Sequence, residues 1–296
     1  MNATAETSTS DLIVRGTAAE GLIRALAISA TETVREAQRA HGLSPLATAA
    51  LGRLLMASQV MGSLFKDSGE RLSLMISATG SLGGLTAIAG SDGTVKGYAE
   101  NPTAPCACPA PTAADVAAGL ESGTLAVVHT SPHIEPFVSQ IALVNGTISD
   151  DLIAYYIISE QIPTMVSLDV VLDENGQVKH AGGYFIQLMP GYDDQLLSWL
   201  ETAVASAPSV SDMLAAGLGP QALLETVLAG QSFKLYETTP TAYHCDCSRQ
   251  RSEQTLLSLG TAELTNLIAD NQPIDIKCDY CSTLYHFTPE ELQALL

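Results

Sequence analysis

Basic side chains are scarce in this 296-residue chain: 13 Lys and Arg stand against 32 Asp and Glu, a formal net charge of -19. Such a surface repels a phosphate backbone and offers no cationic stripe to neutralise one, so nucleic acid is not an expected partner. Charged residues reach only 15% and apolar ones 46%, the composition of a folded core and not of a disordered chain. The negative excess also keeps a protein soluble when apolar surface is at times uncovered.

A long apolar run is missing too. The stretch nearest to one, LATAALGRLLMASQVMGSLF at residues 46–65, is interrupted by Arg53, Gln59 and several Gly and Ser, so a buried core helix is expected there and no membrane span. The opening MNATAETSTSDLIVRG has no basic start followed by an apolar segment, so a cytoplasmic location is expected. There is no P-loop or other nucleotide signature, no long-range repeat and no low-complexity tract. With no secretory segment, the six cysteines are expected to be reduced thiols, metal ligands or redox centres, not a secreted disulfide framework.

Periodicity and turn residues predict an α+β chain with an antiparallel sheet core domain over 1–190, a helical docking linker over 191–240 and a small C-terminal four-cysteine unit over 241–296. In the first part, TETVREAQRAHG at 31–42 predicts a helix capped by Thr31, and SPLATAAL restarts with Ser44 as cap and Pro45 in the first turn. Short alternating runs predict strands: RLSLMISA, LTAIAG, TVKGYA, TLAVVHT, FVSQIALV, VSLDVVL and QVKHAGGYFIQLM. SDDLIAYYIISEQIP predicts a helix stopping before Pro163. In the linker, Leu196, Leu197, Leu200 and Val204, then Met213 and Leu214, then Leu223, Leu224, Val227 and Leu228 trace apolar helix faces too small for a core of their own. They are expected to dock on the sheet domain. In the last part, helices are predicted after Ser248 and Thr261, strands at IDIKC and STLYHF, and a closing helix capped by Thr288 with Glu291 reaching back.

Cys245 and Cys247 in HCDC, with Cys278 and Cys281 in CDYC, form two close pairs about 30 residues apart. Zinc takes four ligands in a tetrahedron, and two thiolate pairs in a small domain are the usual supply, so Zn2+ is the expected cofactor. Four unliganded cysteines and a purely structural zinc are the plainer alternatives. His244 and His286 lie beside the pairs, but four sulfurs already close the shell. Peroxide and hypochlorous acid attack thiolates, and oxidised sulfur no longer holds zinc. Each freed thiol then finds its near neighbour at the least loop-closure cost, which predicts Cys245 with Cys247 and Cys278 with Cys281.

The stretch HCDCSRQRSEQTLLSLG together with CDYC resembles the bacterial heat shock protein 33 family of redox-regulated holdase chaperones. IRALAISATETVREAQRAHGLSPLATAALGRLLMAS, GSLGGL, GYAENP, SEQIPTMVSL and AGGYFIQLMPG also look like that family's landmarks, so the likeness covers nearly the whole chain. It implies an ATP-independent chaperone and not an enzyme, inactive while reduced and zinc-bound. It also implies that oxidation releases zinc, unfolds the terminal unit and loosens the linker, and that unfolding client proteins then bind. Ligand positions fall on Cys245, Cys247, Cys278 and Cys281, and a homodimer is implied on activation.

Two rival classes stand beside this. One is a constitutive zinc-ribbon adaptor without redox switching, although eight acids against three bases in the tail disfavour nucleic acid. The other is a thiol oxidoreductase using CDYC, disfavoured because redox CxxC pairs sit at helix starts and strands flank this one. NPTAPCACPAP departs from the family pattern by carrying Cys106 and Cys108. They are either small apolar loop residues or an accessory thiol pair or adventitious metal site.

Overall fold

The computed structural model describes residues 10–132 and 134–296. The chain divides into two compact units, Met1–Tyr243 and His244–Leu296. The first opens with a hairpin of β1 (Leu12–Ala18) and β2 (Ile23–Ser29), then helices α1 (Thr31–His41) and α2 (Pro45–Gly62). A meander follows, β3 (Arg71–Ala78), β4 (Leu85–Gly90) and β5 (Thr94–Ala99), then α3 (Ala113–Leu120) and the hairpin β6 (Gly123–Ser131) and β7 (Ile134–Ala142). After α4 (Ser149–Tyr155) and a π-turn at Tyr156–Glu160 comes the hairpin β8 (Thr164–Leu172) and β9 (Val178–Leu188). Three linker helices, α5 (Asp194–Ser206), α6 (Val210–Ala215) and α7 (Pro220–Val227), lead into β10 (Lys234–Pro240) and β11 (Ala242–Tyr243).

These strands make a five-stranded sheet in the order β10-β1-β2-β9-β8 and a six-stranded sheet in the order β11-β5-β4-β3-β6-β7. All pairings are antiparallel except β11 on β5. Both sheets pack on α2, whose residues 46–62 are all buried. The apolar stretch is therefore a core helix, and among the described residues no helix is long and apolar enough to cross a membrane. Arg53 survives inside it because Nη1 donates to the Ala49 carbonyl at 2.8 Å and Nη2 pairs with the Asp169 carboxylate on β8.

The cap of α1 differs from expectation. Ala30 is the N-cap and offers no side-chain bond; instead Asp11, just ahead of β1, accepts from the Glu32 N–H at 3.2 Å and the Thr33 N–H at 2.6 Å. Thr31 Oγ1 is engaged elsewhere, accepting from the Ala181 N–H at 3.1 Å. Asp11→Ala is expected to lower stability by about 1–2 kcal/mol in denaturant unfolding, since it orphans two N–H groups of the first turn. A cost no larger than that of an exposed surface change would reject this role. Ser44 caps α2 as its sequence predicts, accepting from the Ala47 N–H at 3.2 Å with Pro45 in the first turn.

The linker's apolar stripe packs on the outer face of the five-stranded sheet. Leu200, Val210, Met213, Leu214, Leu223, Leu224, Val227 and Leu228 form one buried cluster with Val14, Ile23, Ala25, Tyr184, Ile186 and Leu188. Residues 234–240 are not helical: they pair with β1 as an edge strand, because β1 offers its free edge to them. The terminal unit begins at His244, not at 241, because Ala242 and Tyr243 pair with Thr94 and Val95 of β5. The hairpin of β1 and β2 is not declared by the sequence: short apolar runs such as IRALAIS do not distinguish helix from strand by periodicity.

Candidate metal centre

The terminal unit holds α8 (Arg249–Ser258), α9 (Thr261–Ala269), the hairpin β12 (Ile274–Lys277) and β13 (Leu284–Phe287), and α10 (Pro289–Gln293). Its fully formed capping box, Thr288 with Glu291, starts α10, and Ser248 caps α8 by accepting from the Arg251 N–H at 3.3 Å. The fully buried apolar core is Leu256, Leu264, Phe287 and Leu292, with Ile268, Ile274, Ile276, Tyr285 and Leu295 half-buried against it. A core this small supplies little cohesion by itself.

The hairpin turn carries Cys278 and Cys281. The Cys278 N–H donates to the Thr283 carbonyl at 2.9 Å and the Ser282 N–H to the Cys278 carbonyl at 2.8 Å, with Ser282 in the left-handed region at φ 60°. Cys245 and Cys247 lie just ahead of α8, where Asp246 pairs with Arg251 at 2.5 Å. The four Sγ atoms all lie within 4.8 Å of one another, and this is the one His/Cys/Asp/Glu group of three or more that could hold a metal among the described residues. Cys245 and Cys278 sulfurs are 3.7 Å apart, Cys247 and Cys281 3.3 Å. A tetrahedron with metal–sulfur bonds of about 2.3 Å requires sulfurs about 3.8 Å apart, so the residues fit such an ion.

Electrostatics tells the same story. Burial, and the hydrogen bonds of neighbouring thiols, push the Cys245 thiol far up, and burial raises Cys278 as well. Cys281 is drawn down to about 7: burial opposes this, but the Thr283 hydroxyl and N–H and the neighbouring sulfurs outweigh it. Four sulfurs this close do not ionise together without a cation among them. N–H groups of Cys247, Tyr280 and Thr283 supply part of the charge-stabilising shell, at Cys245, Cys278 and Cys281 respectively.

Tyr285 and Thr283 are side chains at the cluster that the sequence did not announce. The Tyr285 hydroxyl donates to Cys247 Sγ at 3.1 Å, a bond that pushes its own pKa up to about 12, and Thr283 Oγ1 lies 3.2 Å from Cys281 Sγ. Outer partners of this kind orient metal ligands. Tyr285→Phe is expected to weaken metal retention roughly 10-fold in competition with a coloured chelator, and an unchanged affinity would reject the role. His286 instead pairs with Asp275 at 2.8 Å in the open, and neither it nor His244 belongs to the cluster. Cys106 and Cys108 are not members either.

The family model described as Hsp33 protein matches residues 11–288. The chain belongs to the Hsp33 family. It is 39% identical to a 33 kDa chaperonin of Acetivibrio thermocellus, covering 97% of both chains, and 40% identical to one of Agathobacter rectalis, covering 97% of this chain and 99% of that one. A 33 kDa chaperonin of Geobacter sulfurreducens is 40% identical over 100% of this chain and 98% of its own. Among solved structures, the crystal structure of the 33 kDa chaperonin (heat shock protein 33 homolog) of Thermotoga maritima matches with a TM-score of 0.88 and 32% identity, covering 97% of each chain. The Hsp33 fold, α+β with antiparallel sheets and a C-terminal four-cysteine cluster, thus agrees with that expected from the sequence.

Proposed function

We propose that this Hsp33-family chain is an ATP-independent holdase of the cytoplasm, silent while reduced and switched on by oxidation. The observation that carries the proposal is the four-sulfur cluster inside a unit that fully buries just four apolar side chains. The family membership and the relatives' name, 33 kDa chaperonin, supply the chaperone role.

Zn2+, when bound by Cys245, Cys247, Cys278 and Cys281, keeps the thiolates ionised and closes the unit. Oxidation joins Cys245 to Cys247 and Cys278 to Cys281: each thiolate pair gives two electrons to the oxidant as its S–S bond forms, and paired sulfurs no longer offer the thiolates a metal needs. The terminal unit then has too small a core to stay folded. Chain continuity passes the loss upstream, because Cys245 follows β11 after one residue and β10 is an exposed edge strand. Its fraying frees the linker, and the apolar faces of α5–α7 and of the sheet beneath them become the surface for unfolding clients. Two activated chains pair as a homodimer. The role involves no catalysis, no nucleic acid and no membrane.

In a light-scattering assay with a thermally unfolding client, peroxide-treated protein is expected to suppress aggregation and reduced protein to leave it unchanged. Equal behaviour of the two forms would reject the switch, and suppression by both would favour a constitutive adaptor.

A further inference from the structure

The loop between β5 and α3 carries chemistry outside the metal centre. Cys106 Sγ and Cys108 Sγ stand 3.8 Å apart, both half-buried, with Cys106 against the main core. The loop that presents them is pinned at both ends. The Ser44 N–H donates to the Pro102 carbonyl at 2.8 Å, Asn101 Nδ2 donates to the Ser81 carbonyl at 2.8 Å, and Ala104 is fully buried. At the other end Thr112 and Asp115 form a complete capping box on α3. Pro102, Pro105, Pro109 and Pro111 each fix a backbone φ, so the segment between has few ways to carry the two thiols apart. No third ligand joins them among the described residues, and two sulfurs do not close a metal shell.

We infer that Cys106 and Cys108 are a second redox site, a metal-independent dithiol that hydroperoxides convert to an intraloop disulfide. One sulfur attacks a peroxide oxygen, the O–O bond breaks, and a sulfenic acid and water (or an alcohol) form. The second sulfur attacks the first, the S–O bond breaks, and a second water leaves with the remaining thiol proton. Two S–H bonds are lost, one S–S bond is made, and the peroxide is reduced by two electrons. A ring closed across a single intervening residue is strained, so the disulfide is reopened by mild dithiols and exchanges readily with other thiols. Desolvation, the Cys106 sulfur and the Asp115 carboxylate all raise the Cys108 thiol above its ordinary pKa. The thiolate fraction, and with it the reaction rate, therefore climbs as the pH is raised above neutral.

The inference stands apart from the tail switch, and its readout is a different peptide. Full-length, metal-loaded, reduced protein is treated with hydrogen peroxide, capped with an alkylating reagent and cut after Glu100 and Asp115. The 101–115 peptide is expected to resist capping, to weigh two hydrogens less than the reduced peptide, and to accept two caps after dithiol treatment. Conversion is expected to proceed faster at higher pH. Cys108→Ser should leave Cys106 without this product, a second check that does not depend on the peptide mass shift. Full capping of Cys106 and Cys108 at a peroxide dose that blocks the tail cysteines would overturn the inference. So would their linkage to tail cysteines or to a second chain, or a bound metal on the pair.

Discussion

Treated with a chelator, or carrying Cys278→Ser, the protein is expected to lose the folded structure of residues 244–296 while the sheets of residues 10–190 stay protected. The magnitudes decide this. A structural zinc contributes on the order of 10–16 kcal/mol, whereas a core of this size supplies roughly 3–5 kcal/mol. Leu256, Leu264, Phe287 and Leu292 are the whole buried apolar cluster, and the hairpin that carries Cys278 has strands of four residues. Its ion pairs are exposed and weak: Arg249 with Glu291 at 2.7 Å and Arg251 with Asp246 at 2.5 Å belong to a class worth at most about 1 kcal/mol each. Limited proteolysis with mass mapping reads the outcome directly. Cuts should fall beyond Tyr243 and in the linker it releases, spare residues 10–190 in the metal-free protein, and vanish when zinc is restored to the wild type. Cys278→Ser should not recover with zinc, and a metal-free tail that resists protease would contradict the expectation.

Leu224→Asp is expected to switch the chaperone on without oxidant and with metal retained. Leu224 is completely buried in α7, beside Leu223 and Leu228, against the five-stranded sheet. Emptying such a site costs about 2–5 kcal/mol, and an unpaired carboxylate there adds a desolvation cost that only undocking relieves. The helix therefore leaves the sheet in preference to burying the charge. Trp199, half-buried in the same cluster on α5, reports the change: its emission should move to the red as water reaches it. Glu225→Gln, on the exposed side of α7, should change neither emission nor light scattering. An active Leu224→Asp protein with unmoved Trp199 emission would mean that α5 is not part of the moving surface.

The sequence was most legible where chemistry or backbone rules dictate spacing. Two thiol pairs at close intervals announce a tetrahedral ion site before any fold is known, and Ser44-Pro45 and Thr288-Pro289 announce helix starts. The i, i+3, i+4 stripe of Leu223, Leu224, Val227 and Leu228 likewise states which face of α7 is covered. Long-range partners were not legible. Asp11 caps a helix some 20 residues away, so Thr31, the local candidate, looked like the cap. β10 is a strand because β1 offers an edge, a fact held in tertiary pairing and not in KLYETTP itself. Tyr285 and Thr283 became recognisable only when β13 placed their hydroxyls against sulfur. A lone Tyr and a lone Thr carry no pattern. The 3.8 Å approach of Cys106 to Cys108 was open in the same sense, since a CxC spacing permits contact without requiring it.

One measurement bears most directly on the central claim that sulfur oxidation, metal loss and chaperone activity are one event. Bound zinc and suppression of client aggregation are followed in the same sample through a cycle of peroxide oxidation and dithiol reduction with zinc present. Zinc should leave as suppression appears, and return as suppression disappears. In the wild-type protein, activity that arises with zinc still bound, or zinc loss that brings no activity, would contradict the account.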